Sequence, residues 1–339
     1  MWHNILKGWV RMLKLRLPIL VVTAMIGLTV QMPASANSVK TEVDGHTTTR
    51  VSTSYHVKLK NIGRHFLVTR KPAKLYKLSA GKPVSHRTLT IPKNAVLAIQ
   101  NHARSGQGVV VSLQGKKQKY LLNNPKSVVY NTTGVKNNSQ TAKRLSSASK
   151  KWSSSLKKSQ IKAIRYYTNE GYTKINTALR TPQHHAAKKV SDSITKINAG
   201  IRTFTLPSPI TIYRGTSAIG VKKSLSNHAV KIGRSYQDAA YSSSTLSQMI
   251  ALGFSSQHIV LKINLPAGNH GAYIDPISTN VGEKEYLMAG GTKLIVTGYQ
   301  KAQSTVHTAV TVKKRGHAAQ HHTNNVVTNY TLVTLNLKQ

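Results

Sequence analysis

The sequence predicts an α+β domain over residues 151–339, preceded by a small β-rich module over residues 56–122. Two changes in residue pattern support this prediction. After Lys151, apolar residues recur at helical spacing, whereas from Ile210 onward short β-type runs predominate. Helices that come first and strands that follow are typical of an α+β domain. In the preceding module, short β-type runs alternate with turns rich in glycine and proline, which is typical of a small β-barrel.

Apolar spacing places the elements of the α+β domain. A first helical stretch carries apolar side chains from Trp152 to Leu179, with a break near Gly171. A second helix is predicted over residues 190–201. The strands are predicted at residues 210–213, 258–263, 293–297 and 330–335.

Two segments flank the β-rich module. Residues 37–55 are rich in Thr, Ser and Val, and we interpret them as a flexible or weakly extended lead-in. Residues 123–150 are rich in Asn, Ser, Thr and Lys, which indicates a linker.

The first 36 residues have the pattern of a secretory signal peptide. A basic start is followed by an apolar run from Leu17 to Val30 and by the small residues Ala34 and Ala36. Cleavage is expected after Ala36. The alternative, a retained membrane anchor, is disfavoured because a bilayer span needs about 20 apolar residues. We therefore expect a secreted, extracellular protein with no transmembrane segment after cleavage.

The chain is strongly basic, with 49 Lys and Arg against 8 Asp and Glu and a net charge of +41. Such a field attracts polyanions, which include nucleic acid, anionic membranes and the phosphate polymers of bacterial walls. The charges are spread along the chain without a nucleic-acid motif, so no specific nucleic-acid partner is predicted. The alternative interpretation is a solvated basic surface.

The β-rich module is especially cationic, because no acidic residue lies between Asp44 and Glu170. Its pattern loosely resembles the SH3-like wall-binding modules of secreted bacterial proteins. That resemblance implies binding to anionic cell-wall polymers and association with the wall, and an inert spacer is the alternative.

Several kinds of site are excluded or disfavoured. The chain has no cysteine, so disulfides and thiolate metal sites are impossible. His317, His321 and His322 have a spacing that could hold a metal, but no acid is near them and Gly316 and Asn324 indicate a loop. We therefore predict no metal site. No nucleophile elbow and no phosphate-binding glycine-rich loop is present.

A pair of carboxylates is the first candidate for chemistry. Glu283 and Glu285 are separated by one residue, after the loop residues Asp275-Pro276 and Gly282. In an extended segment two such side chains point to the same side, about 6.6 Å apart. Glu42 and Asp44 have the same spacing without apparent purpose. From these residues alone, a pair of surface salt-bridge partners is the alternative.

Three segments in order resemble a known set of motifs. They are residues 213–216 (YRGT), residues 238–246 (DAAYSSSTL) and residues 282–287 (GEKEYL). Together they resemble the Arg, Ser-Thr-Ser and Glu-x-Glu motifs of the bacterial ADP-ribosyltransferase exoenzymes, which include the enzymatic components of actin-modifying binary toxins. The resemblance covers residues 150–339. It implies the ADP-ribosyltransferase fold, in which N-terminal helices pack on a split β-sandwich.

The resemblance assigns roles to five residues. Glu285 matches the catalytic glutamate, which stabilises the positive ribose that forms when nicotinamide leaves NAD. Glu283 matches the upstream glutamate of the arginine-specific branch, which orients the acceptor arginine and helps to remove its proton. Arg214 matches the arginine that binds NAD phosphate, and Gly215 lets the backbone approach the nicotinamide amide. Ser243 matches the serine that fixes the catalytic glutamate by a hydrogen bond.

Four further positions match residues that line the NAD pocket. Tyr167, Tyr172 and Asn176 match positions on the family's first helices, and Phe254 matches an aromatic residue that packs on NAD. For the tyrosines, ordinary core packing is the alternative. Gln257 departs from the family, because an NAD-contacting arginine is often found there.

Two segments also depart from the pattern. The serine motif has Ser-Ser-Thr at residues 243–245, and the acceptor-recognition loop at residues 276–282 lacks the aromatic residue that several relatives use. These departures concern the target protein more than the chemistry.

The sequence therefore predicts a secreted mono-ADP-ribosyltransferase, a toxin-like exoenzyme that uses NAD as substrate and needs no metal. Its partner would be a protein with an accessible arginine. One alternative is a secreted wall-binding protein with an inactive transferase domain. Another is an NAD glycohydrolase, in which water is the acceptor.

Overall fold

A computed structural model describes residues 37–60, 65–102, 108–182, 186–269 and 271–338. The predicted signal peptide at residues 1–36 lies outside the described residues. All described residues belong to one compact unit. Within them, no helix is long and apolar enough to cross a membrane.

Five α-helices lie between residues 125 and 201 of the described chain. A π-helical turn, Tyr167–Gly171, interrupts the first predicted helical stretch, which confirms the predicted break. A Cβ at Gly171 would collide with the ring of Tyr166 at 2.6 Å, so glycine is required there. The helices are α1 (Pro125–Val128), α2 (Ser139–Ser154), α3 (Lys158–Tyr166), α4 (Tyr172–Arg180) and α5 (Lys188–Ile201).

The predicted linker at residues 123–150 is wrong, because it contains α1 and most of α2. Asn138 caps α2 by accepting a 2.8 Å hydrogen bond from the backbone N–H of Thr141. The helix buries Leu145 and Trp152 against the domain core. Between these two residues lie mostly Ser, Lys and Ala, so composition concealed a helix that its cap and its buried face stabilise.

The linker residues before α2 are also fixed to the domain. The carbonyl oxygen of Asn131 accepts hydrogen bonds from the amides of Asn264 (2.9 Å) and Asn336 (3.0 Å). The Lys262 ammonium donates to the carbonyl of Thr133 at 2.6 Å. These bonds tie the segment to two neighbouring strands of the domain.

The strands of the α+β domain belong to one ten-stranded sheet. Its order is β1-β2-β15-β16-β12-β9-β11-β14-β13, and β10 pairs with β15. Strand β11 pairs with β9 at one residue pair, Thr245 and Tyr213, and the sheet divides there. The strands are β1 (Asn37–Asp44), β2 (Thr47–Lys60), β9 (Ile210–Thr216), β10 (Ser235–Tyr236), β11 (Ser242–Thr245), β12 (Ile259–Leu265), β13 (Gly271–Tyr273), β14 (Glu285–Met288), β15 (Leu294–Lys314) and β16 (Gln320–Leu337).

Two short helices and one 3₁₀ turn connect these strands. They are α6 (Ala218–Ser224), α7 (Gln248–Gly253) and the turn Asp275–Ile277. The largest apolar cluster lies between the helical layer and one face of the sheet, and it includes Ile212, Leu261 and Val333. A smaller cluster, with Met249 and Tyr330, covers the opposite face beneath α7. These two layers position the site residues at the ends of β9, β11 and β14.

The predicted flexible lead-in at residues 37–55 is wrong, because these residues form β1 and most of β2. Strand β2 pairs with β15 from Lys60–Lys301 to Thr47–Lys314. The Thr- and Val-rich composition suits a strand. Its partner lies far along the chain, so no local pattern could indicate the pairing.

The β-rich module is smaller than predicted. Residues 56–60 belong to β2 in the large sheet, and an antiparallel six-stranded sheet begins at Phe66. Its order is β3-β6-β7-β8-β4-β5, with β3 and β5 at opposite ends, so the predicted SH3-like barrel is not confirmed. The strands are β3 (Phe66–Val68), β4 (Ala73–Ser79), β5 (Lys82–Ile91), β6 (Val96–His102), β7 (Val109–Leu113) and β8 (Lys119–Leu122).

Candidate active site

Glu285 is held at the start of β14 by two serines. Its side chain is buried, with 4% exposure. The Ser243 hydroxyl donates a 2.6 Å hydrogen bond to Oε1, and the Ser278 hydroxyl donates a 3.1 Å bond to Oε2. Strand β11 supplies Ser243 because it pairs with β14. Both carboxyl oxygens are therefore fixed in one orientation.

Burial raises the pKa of the Glu285 carboxyl above its ordinary value. The hydrogen bonds from Ser243 and Ser278 lower this pKa, and the positive charge of Arg214 lowers it further. The charge of Asp275 acts in the opposite direction. The serines and the arginine thus oppose the effect of burial on this pKa.

Glu283 does not share an extended strand with Glu285. Lys284, between them, has a φ of 54°, so the backbone turns there and β14 begins only at Glu285. The expected same-side arrangement of an extended segment is therefore wrong. The Thr245 hydroxyl donates a 2.6 Å bond to the carbonyl of Glu283. The two carboxylates come from a tight turn and a strand end.

Asp275 shapes that turn. Its Oδ1 accepts hydrogen bonds from the backbone N–H groups of Gly282 (3.0 Å) and Lys284 (2.7 Å). Burial raises the pKa of the Glu283 carboxyl to about 7, and the charges of Glu285 and Asp275 add to this effect. Glu283 can therefore exchange a proton near neutral pH.

Arg214 connects β9 to the serine strand. Its Nη1 donates a 2.8 Å hydrogen bond to the carbonyl of Ser243. Its charge also lowers the pKa of Tyr167, whose value burial raises to about 12. The guanidinium therefore lies among the predicted site residues.

Gly215 is required by protein packing. A Cβ at this position would collide with the carbonyl of Ala251 and the backbone of Phe254 and Ser255, at the end of α7. The sequence interpretation gave this glycine a role toward the nicotinamide amide. The structure supplies a separate reason, which is the close approach of α7 to β9.

Tyr167 and Asn176 form a buried pair at the π-helical turn and α4. The Asn176 amide donates a 3.1 Å hydrogen bond to the Tyr167 hydroxyl, and the Tyr167 ring packs edge-on against Tyr241 at 5.5 Å. Oδ1 of Asn176 is buried and has no hydrogen-bond partner among the described residues. An amide oxygen in that state suits a ligand amino group.

The other two predicted aromatics lie at the surface. Tyr172 is 41% exposed at the start of α4, and Phe254 is 55% exposed after α7. The structure thus brings Glu285, Ser243 and Arg214 together, whereas the rings of Tyr172 and Phe254 are exposed at the surface. An exposed phenyl ring is available to stack on a ligand.

Sequence reasoning missed three residues that organise the site: Asp275, Ser278 and Thr168. The Thr168 hydroxyl accepts a 3.1 Å bond from the backbone N–H of Thr279, and its carbonyl accepts a 2.9 Å bond from the Asn280 amide. The loop at residues 276–282 is therefore hydrogen-bonded to the π-helical turn. The polar run at residues 278–280 is the sequence signal for this attachment, whereas the sequence-based interpretation of the loop used only its lack of an aromatic residue.

Two other predicted features have structural roles. Oε1 of Gln257 accepts a 2.6 Å bond from the backbone N–H of Ala218 and so caps the start of α6. The three histidines do not share the expected loop, because only His317 lies in the turn before β16, whereas His321 and His322 lie in that strand and point to its opposite faces.

Residues 145–319 match the family model for the ADP-ribosyltransferase exoenzyme. The match spans more than half of the chain, which therefore belongs to the ADP-ribosyltransferase exoenzyme family. A curated relative is the NAD(+)–arginine ADP-ribosyltransferase EFV of Enterococcus faecalis, which is 29% identical over 149 residues. That alignment covers 42% of this chain and 29% of the relative, so the chain spans less than a third of the relative's length.

Solved structures with a similar course of the chain include a bacterial exoenzyme and the enzymatic component of a bacterial toxin. The enzymatic component C2-I of the Clostridium botulinum C2 toxin is 14% identical, with a TM-score of 0.46, over 74% of this chain and 57% of that chain. The Clostridium limosum C3 exoenzyme is 17% identical, with a TM-score of 0.45, over 62% of this chain and 100% of that chain.

Proposed function

We propose that this protein is a secreted mono-ADP-ribosyltransferase that transfers ADP-ribose from NAD to an arginine of a target protein. The observation that carries the proposal is the buried Glu285 carboxylate, fixed by Ser243 and Ser278 beside Arg214, with Glu283 on the adjoining turn. The arginine specificity of the curated relative supports it.

The geometry suits cleavage of an N-glycosidic bond. Nicotinamide leaves C1′ of the ribose with the bonding electron pair and departs as a neutral base, so no general acid is needed. The positive charge that develops on the ribose is stabilised by a nearby carboxylate, as in glycoside hydrolysis. Glu285 takes this role because both its oxygens are already oriented and Arg214 favours its ionised form.

Glu283 activates the acceptor. A guanidinium nitrogen attacks C1′ as nicotinamide leaves. The nitrogen in the new C–N bond then carries an excess proton, which Glu283 removes. A catalytic base is most effective when its pKa lies near the working pH. The pKa of Glu283, about 7, meets this requirement. Its carboxylate also provides the fork-shaped acceptor that a guanidinium prefers.

NAD would be held by residues around this centre. Arg214 can pair with phosphate, and Oδ1 of Asn176 can accept from an amino group of the ligand. The exposed rings of Tyr172 and Phe254 can stack on planar parts of the dinucleotide. All four residues are among those that the sequence predicts to bind NAD.

The test compares nicotinamide release with labelling of an acceptor. Purified protein is incubated with radiolabelled NAD, with and without agmatine, a small guanidine compound. Glu285→Gln should abolish nicotinamide release and transfer, whereas Glu283→Gln should abolish transfer and retain release. A folded protein that neither cleaves NAD nor binds it by calorimetry is an inactive member, and release without transfer identifies an NAD glycohydrolase.

We also propose secretion and a role in wall binding for the six-stranded sheet. Lys71, Lys82 and Arg87 are exposed there, and residues 65–122 contain no acid. The secreted protein should begin at Asn37 by N-terminal sequencing. Binding to purified walls should weaken with salt and after extraction of the phosphate polymers. Equal binding to extracted walls would contradict the proposal.

A further inference from the structure

The large sheet continues far beyond the end of β12. Strand β12 pairs with β16 up to Thr331, whereas β15 and β16 continue together to the Val312–Gln320 pair. Strands β2 and β1 extend this part to four strands. Eleven residues at about 3.3 Å each give a projection of about 36 Å. We call the segments 37–60 and 301–331 the ribbon.

The ribbon rises from the end of the sheet that carries Arg214. Thr216, at the end of β9, lies opposite Ile259, which lies opposite Thr331. Thr331 in turn lies opposite Lys301, which lies opposite Lys60. Residues in one such row point to the same side of a sheet.

That side is also the side of Arg214. Residues two apart on a strand point the same way, so Arg214 shares the face of Thr216 and hence of Lys301 and Lys60. The α-helical layer covers this face lower in the sheet, through Leu261 and Val333. On the ribbon the same face is open to solvent.

This open face carries only positive charge in the described part of the chain. Arg50, Lys58, Lys60, Lys301 and Lys313 are all exposed on it, and we call them the basic face.

The ribbon's described carboxylates lie on the other side. Glu42 pairs with Thr49 and Asp44 with Thr47, in the alternate rows. The described residues form two ion pairs, and neither involves the ribbon.

The basic face keeps like charges together. Lys60 and Lys301 are direct cross-strand neighbours, an arrangement that destabilises a sheet. Their ammonium groups bond to neutral oxygens, Lys60 to Asn329 (3.3 Å) and Lys301 to Thr331 (3.0 Å). Their charges are thus oriented without being neutralised, which suits an anionic partner.

We propose that the basic face docks an acidic surface of the acceptor protein during ADP-ribose transfer, an inference that rests on the proposed function. Three strands about 4.8 Å apart and about 36 Å long, with the eight-residue β1 beside them, cover roughly 650 Å². A standard interface buries about 800 Å² per partner. The face has neutral hydrogen-bonding groups between its charges, which suits a protein surface, whereas a single polymer chain is typically bound along a groove.

The experiment uses one acceptor in two charge states. Serum albumin with succinylated lysines is strongly acidic, whereas the acetylated form has the same arginines and less negative charge. Agmatine serves as an acceptor with no docking surface. The variant replaces Arg50, Lys58, Lys60 and Lys301 with Gln. The control variant makes the same changes at Lys143, Arg144, Lys150 and Lys151, which are exposed on α2.

The ribbon variant should lose at least about tenfold in kcat/KM for succinylated albumin, through KM, since that corresponds to a few tenths of a kcal/mol per removed charge. Transfer to acetylated albumin should fall less, in proportion to its smaller negative charge, and transfer to agmatine and NAD cleavage should be unchanged. The control variant should behave like the parent protein. Exchanging Lys for Arg and Arg for Lys at the four ribbon positions should retain the activity, which separates charge from folding.

Three results would overturn the proposal. One is an equal loss in both variants, and another is a loss that extends to agmatine. The third is that polyphosphate inhibits albumin labelling whereas polyglutamate of equal charge does not. That result would show that the basic face binds phosphate polymers. Absence of transfer to agmatine in the parent protein would instead refute the proposed function. Fluorescence anisotropy with succinylated albumin then still measures whether the basic face binds it.

Discussion

The Ser243 hydroxyl donates a 2.6 Å hydrogen bond to Oε1 of Glu285. A hydrogen bond to a charged group contributes about 1.5–3 kcal/mol. Ser243→Ala should therefore lower nicotinamide release about 10- to 100-fold. Because this bond lowers the pKa of Glu285, its loss should move the acidic limb of the pH–rate profile to higher pH.

Ser244→Ala is the matched control for this change. The Ser244 hydroxyl bonds to the carbonyl of Ser242 and does not touch Glu285. Its pH profile should coincide with that of the parent protein. Equal shifts in both variants would show that the serine strand acts through folding alone.

Transfer and NAD cleavage should differ in their dependence on pH. Glu283 must be ionised to accept a proton from the guanidinium, and its pKa is about 7. Transfer to agmatine should therefore decline as pH falls through about 7, and in Glu283→Gln nicotinamide release should continue. A transfer profile that is flat across this range would contradict the role of Glu283.

The same residue should affect stability. Its folded pKa of about 7 exceeds its ordinary value of 4.5, so the folded state binds the proton more tightly than the unfolded state. The associated stability is present below about pH 4.5 and is lost as pH rises through about 7. Glu283→Gln should therefore stabilise the protein at about pH 8 by roughly 1 kcal/mol, since solvent screens a half-buried group.

Urea unfolding at two pH values measures this effect. The gain from Glu283→Gln should disappear at about pH 4, where the parent residue is protonated in both states. A gain that is the same at both pH values would indicate a packing effect instead.

Asp275 should act on catalysis through the turn that it shapes. Asp275→Ala removes the acceptor for Gly282 and Lys284, so both nicotinamide release and transfer should fall about tenfold or more. Asp275→Asn keeps an Oδ1 acceptor and removes the charge. Because that charge raises the pKa of Glu283, the Asn variant should retain most activity with an acidic limb at lower pH. Identical losses in both variants would contradict a positioning role.

Gly215→Ala tests the packing of α7 on β9. The new methyl group would collide with Ala251, so unfolding free energy should fall by about 1–3 kcal/mol. Gly200→Ala is the control, because its Cβ would lie 3.7 Å from its nearest neighbours within a helix. That variant should be neutral or more stable by up to about 1 kcal/mol. Chemical denaturation distinguishes the two.

The site residues could be predicted because their chemistry is local in sequence. Arg214, Ser243 and Glu285 each lie within a short motif, and all three motifs fall inside residues 145–319, which match the family model. Asp275 and Ser278 could not be found in this way. Their roles depend on hydrogen bonds across a loop, and nothing in the residue types distinguishes them from ordinary turn formers.

The sequence by itself determined the α+β class and the break at Gly171, and its motifs singled out the carboxylate pair as a candidate. Helical spacing and motif order are properties of neighbouring residues. Only the tertiary structure decided that residues 37–60 are strands, that α2 begins at Ser139, and that Glu283 lies on a turn. Strand β2 pairs with β15, which is distant in sequence, and Leu145 and Trp152 are buried against the domain core. Asp275 accepts bonds from Gly282 and Lys284 although it lies outside every motif. Such contacts stabilise one conformation among several that the local sequence allows.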